Sequence, residues 1–158
     1  MLSDVSGQTT YKLQVGGKTY ELRPWSLRAL AIVENYARQL YIERAMQAAA
    51  KAAEHVPAEQ RPLYWEKCFE SCEPRGGITE LLNSLPAYEQ LACTLFMAVY
   101  SAHKDEFPDP GSKQFREFVD QALEEHGMDF LDALVAQITN LRSVHGEKKA
   151  ETNRTGES

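Results

Sequence analysis

Residues 11–24 read Tyr11-Lys12-Leu13-Gln14-Val15-Gly16-Gly17-Lys18-Thr19-Tyr20-Glu21-Leu22-Arg23-Pro24, with apolar and polar residues alternating on both sides of a glycine pair. Alternation with a period of two marks a half-buried strand, and two glycines supply the positive φ that a tight hairpin turn requires. With Gly16-Gly17 as the two-residue loop, Tyr11 stands opposite Leu22 and Leu13 opposite Tyr20 on an apolar face. Lys12 and Glu21 then meet on the other face as a solvated ion pair. A two-stranded ribbon is marginal by itself, so the apolar face is expected to dock on the rest of the chain.

Downstream of Pro24, which stops the second strand, the pattern turns helical. Ser26 is placed as an N-cap, and no helix breaker follows until Pro57. A helix of about 28 residues would be about 42 Å long, which is long for a chain of this size. Its apolar residues cover about half the circumference. Such a helix either packs against two neighbours within the chain or offers part of its surface to another subunit. Ile32, Tyr36 and Leu40 lie on the side away from the line of Leu27, Ala45 and Ala48, and are the candidate partner-binding residues.

Punctuation predicts the remaining helices. Pro57 and Pro62 each suit a first helical turn, and Trp65, Cys68, Phe69 and Cys72 follow at helical spacing before Gly76-Gly77. A short turn covers Thr79 to Asn83. Pro86 opens a helix with Leu91, Leu95, Ala98 and Val99 on its inner stripe. After the Pro108 and Pro110 loop, one helix carries Phe115, Phe118, Val119 and Ala122 and ends at Gly127; the last carries Phe130, Leu131, Leu134, Val135, Ile138 and Leu141. The expected fold is mainly α: an N-terminal two-stranded β-hairpin (10–24) followed by a bundle of about five helices. A single domain spans 10–145, between a flexible N-terminus (1–9) and a disordered tail (146–158).

The totals narrow the function. At 158 residues with 43% hydrophobic and 25% charged content, the chain can bury a core without disulfides or metal. A net charge of -6 argues against a nucleic-acid binder. The charge is local: between Asp105 and Asp132 nine acids face only Lys113 and Arg116, a balance of −7. A solvated face explains this, and steering of a basic partner is the sharper alternative. No apolar run approaches the length of a membrane span, and three cysteines, an odd number, fit a reducing, cytoplasmic setting.

Chemistry is sparse. Cys68 and Cys72, four apart on a helix, would need two more ligands to hold zinc, and no paired Cys or His motif supplies them; with Cys93 they read as small apolar residues on buried stripes. His55, His103, His126 and His145 fall near predicted helix C-termini, where the helix dipole favours imidazolium. Gly16-Gly17-Lys18 runs into a strand and so is a turn, not a phosphate loop. No acidic stretch has the ligand spacing of an EF-hand. The expectation is a protein-binding chain without catalytic residues, metal or cofactor.

The hairpin segment Val-Gly-Gly-Lys-Thr-Tyr-Glu-Leu-Arg-Pro at 15–24, leading at Ser26-Leu27 into a long helix, resembles the tail assembly chaperones of long-tailed bacteriophages, with the likeness centred on residues 11–45. The resemblance implies a factor in the host cell cytoplasm that binds the tape-measure protein, or another tail protein, and keeps it soluble while tail-tube subunits assemble. Self-association into a homo-oligomer is left open. A structural virion protein, such as a connector or tail-completion subunit, is the alternative; an enzyme whose site is assembled only by the fold is a third.

Overall fold

A computed structural model of the chain describes residues 3–4, 9–74 and 76–139. Strands β1 (Ser3–Asp4), β2 (Thr9–Val15) and β3 (Lys18–Leu22) form an antiparallel sheet in chain order. The hairpin β2–β3 has the expected register, with Tyr11 paired to Leu22, Lys12 to Glu21 and Leu13 to Tyr20. Gly16 and Gly17 carry φ of 62° and 78°, the two positive values that a type I′ turn demands. Strand pairing begins upstream of residue 10, where the domain was expected to start: Ser3 and Asp4 pair with Thr10 and Thr9. The rest of 1–8, and the expected tail at 146–158, lie outside the described residues.

The chain is mostly helical beyond the hairpin, with six helices among the described residues where about five were expected. They are α1 (Leu27–Ala53), α2 (Arg61–Ser71), α3 (Ile78–Asn83), α4 (Ala87–His103), α5 (Lys113–His126) and α6 (128–139). The added one is the short α3, whose start is held by the Glu80 carboxylate accepting from the Gly77 N–H at 2.9 Å. Ser26 caps α1 by accepting from the Ala29 N–H at 3.1 Å, and Ser112 caps α5 in the same way. Gly127, at φ 84°, ends α5 where a side chain would be strained.

Helix α4 is the centre of the molecule, burying Leu91, Ala92, Cys93, Leu95, Phe96, Ala98, Val99 and Tyr100. Against it, α1 sets Ala29, Val33 and Ala37, a fully buried stripe at a spacing of four whose alanines let the two helices approach closely. The far half of α1 leaves this core and meets α2 and α3. The apolar side of the hairpin, Leu13, Val15 and Leu22, is also buried. Tyr20 of β3 enters an aromatic cluster, 4.6 Å from Phe118 and 5.9 Å from Phe107 between ring centres. Phe115 sits within that cluster, near Phe96, Phe107 and Phe118.

Hydrogen bonds fix the ribbon's backbone to the helical body. The Glu21 N–H donates to His103 Nε2 at 3.0 Å, the Arg23 N–H to the Ala98 carbonyl at 2.9 Å, and the Gly16 N–H to the Glu125 carboxylate at 2.9 Å. His126 Nε2 lies 2.6 Å from the Gln14 carbonyl. His103 and His126 do end helices, as their spacing suggests, and their rings reach the strands. On the polar face of the ribbon Lys12 stands opposite Glu21 as expected, but the ion pair of Glu21 is with Arg23 at 2.9 Å, two residues along on the same face.

Candidate protein-binding surfaces

The arc of α1 around Ile32, Tyr36 and Leu40 is half-buried against the central cluster. Tyr36 occupies a polar knot joining α1, α4 and α5. Its hydroxyl donates to Glu89 at 3.0 Å and accepts from Arg116. Arg116 makes a two-pronged pair with Glu89 at 2.9 and 2.8 Å, and its guanidinium lies 5.7 Å from the Tyr36 ring centre and 5.3 Å from that of Tyr88. Gly111 leaves room for the ring, since a Cβ there would stand 2.9 Å from Tyr36 Cε2. Burial pushes the Tyr36 phenol up. Burial opposes the Arg116 charge, yet the Glu89 hydrogen bonds raise its pKa above the ordinary value.

Part of the wide apolar arc of α1 is therefore met by neighbours inside the chain, with Tyr36 bonded to α4 and α5. Tyr36→Glu would set a second carboxylate beside Glu89 while removing a ring from the interface. A loss of about 2 kcal/mol in urea unfolding is expected. Stability equal to the parent would deny the knot a structural part.

Helix α2 differs from the rest of the fold: it buries none of its residues. It lies on the far half of α1, anchored where the Tyr64 hydroxyl donates to the Ala49 carbonyl at 2.9 Å. Pro62 in its first turn starts the helix as expected. Leu63 and Phe69 are 56% and 60% exposed, while Trp65 is half-buried, 6.2 Å from Phe69 between ring centres. This corrects the reading of Cys68 and Cys72 as buried thiols. Both are half-exposed, on and just after a helix that buries none of its residues; Cys93, in α4, is buried. Burial pushes the Cys93 thiol up to about 12. Among the described residues, no three His, Cys, Asp or Glu side chains gather as metal ligands would.

The acidic segment faces solvent, and part of it is engaged in the fold. Glu106 pairs with Lys18 at 2.7 Å, Asp120 accepts from the Tyr88 hydroxyl at 2.7 Å, and Asp109 accepts from the Gly111 N–H at 2.8 Å. The hydrogen bond from Lys18 holds the Glu106 carboxyl below its usual range. Beside this pair an open cleft of about 540 Å³ is lined by Val15, Lys18, Tyr20, Glu106, Glu117 and Gln121. No described helix is long and apolar enough to cross a membrane.

Of these surfaces, the sequence marked Ile32, Tyr36 and Leu40 and did not mark Leu63 and Phe69. The signal for the second pair was there: Leu63 does not share a helix face with Tyr64 and Cys68, so one neighbour cannot cover all the apolar residues of α2. Comparison with family models, curated proteins and solved structures finds no match to the chain.

Proposed function

We propose that the chain is a non-enzymatic protein-binding factor of the tail-assembly-chaperone kind. It acts in the host cell cytoplasm and keeps a long, aggregation-prone helical tape-measure protein soluble during assembly. The observation that supports this reading is α2, an aromatic-rich helix that buries none of its residues although the hairpin, α4 and α5 are closely packed. Large exposed apolar side chains gathered on one short element fit a docking surface better than a core. The hairpin and long helix on which the family resemblance rests are both formed.

The test is co-expression with the candidate tape-measure protein. Its soluble fraction is expected to rise several-fold, and the two proteins to elute together on gel filtration. If the soluble fraction is unchanged and the two proteins elute apart, the reading fails.

A further inference from the structure

The outward face of α2 carries a chemical pattern of its own. At about 100° per residue, Tyr64 and Cys68 point toward α1, while Leu63 and Phe69 fall on the two shoulders of the opposite side. Between those shoulders lie Glu66 and Glu70, both exposed. Glu59 and Glu73, also exposed, stand just before and just after the helix. Among the described residues of α2 the cations are Lys67, beyond Leu63, and Arg61 in the first turn, whose Nε donates to the Val56 carbonyl at 3.1 Å and which falls on the side of Tyr64 and Cys68. Two large apolar side chains therefore border an acidic strip.

We propose that this face docks a basic amphipathic helix of a partner protein. Leu63 and Phe69 receive its apolar side chains, and Glu66 and Glu70 pair with its lysines or arginines. The inference rests on the protein-binding reading above and names the chemistry of the partner. Charge complementarity selects the occupant. A second copy related by a two-fold axis would bring Glu66 and Glu70 against their own counterparts, which repels; a basic helix meets them with opposite charge. Apolar anchors supply the affinity, and the acidic strip sets orientation and excludes acidic helices.

The test uses the full chain and two labelled peptides of about five helical turns. Both carry leucines at helical spacing; one has lysine and the other glutamate at the remaining positions. Fluorescence anisotropy should show binding of the lysine peptide alone, weakening as salt is raised. Leu63→Ser with Phe69→Ser should weaken that binding by about tenfold or more. Glu66→Lys with Glu70→Lys should shift the preference to the glutamate peptide, and circular dichroism of both variants should match the parent.

Equal binding of the two peptides would overturn the proposal, as would lysine-peptide binding unchanged in the charge-reversed variant. A parent dimer in sedimentation that dissociates in the serine variant would assign the face to a second copy and likewise overturn it. The two readings separate cleanly. Lysine-peptide binding with no effect on the tape-measure protein removes the chaperone function and keeps the surface. Undiminished solubilisation by the serine variant keeps the function and removes the surface.

Discussion

Replacing Leu13 by aspartate should lower stability by about 4 kcal/mol or more, through the lost apolar burial and an unpaired carboxylate set in its place. Leu13 is 2% exposed and lies between the ribbon and the helical body, so the charge has no route to water without undocking the hairpin. For an m-value of about 2 kcal/mol per molar, the urea midpoint falls by about 2 M. Lys12→Asp is the matching control. It introduces the same residue into the same strand on the exposed face, opposite Glu21, and its midpoint should fall by no more than about 0.5 M. A Leu13→Asp protein as stable as the control would mean that the hairpin is not docked.

Phe115→Ala should cost about 3–5 kcal/mol, the range for emptying an aromatic site in a packed core. The ring is fully buried, with Phe96 and Phe107 edge-on at 5.4 and 5.3 Å and Phe118 at 5.7 Å between centres. Its removal loosens α5 from α4 and also the seat of Tyr20, so hairpin and helices weaken together. Thermal unfolding should shift down by about 10 °C. Phe130, 51% exposed on α6 and stacked on His126 at 5.1 Å, gives the comparison. Its alanine variant should lose less than about 1 kcal/mol. Equal losses at the two positions would contradict the placement of the core.

The hairpin was legible in the sequence because its determinants are local: two glycines at the turn, alternation on either side and a proline at the end. Its register follows from the turn length alone. Helix boundaries were legible for a similar reason, since Ser26, Pro62, Pro86 and Gly127 act within one turn of where they stand; the Ser112 cap of α5 emerged only in the structure. What spacing does not carry is whether a helix face meets a neighbour. The Cys68 and Cys72 stripe read as buried, yet the fold leaves both half-exposed; the spacing of the Tyr36 arc left open a neighbour within the chain or another subunit, and Glu89 and Arg116 reach its hydroxyl from positions 53 and 80 residues further on. Glu21 had two cations on its face, Lys12 across the ribbon and Arg23 two residues along, and the alternation does not say which one it takes. Nor does anything near His103 or His126 announce that each ring reaches the backbone of a distant strand.

Those strand contacts set an order of events during synthesis. Glu21 waits for a residue 82 positions later, Gly16 for one 109 positions later and Gln14 for one 112 positions later. At a translation rate of about 5–20 residues per second, the ribbon emerges from the ribosome about 5–20 s before the residues it is fastened to. Its apolar side has no seat in that interval, so the nascent chain carries an uncovered amphipathic ribbon. These hydrogen bonds span 82 to 112 positions, and contacts of such separation form slowly. Docking of the hairpin therefore has to wait for α4 and α5, although the hairpin precedes both in the chain.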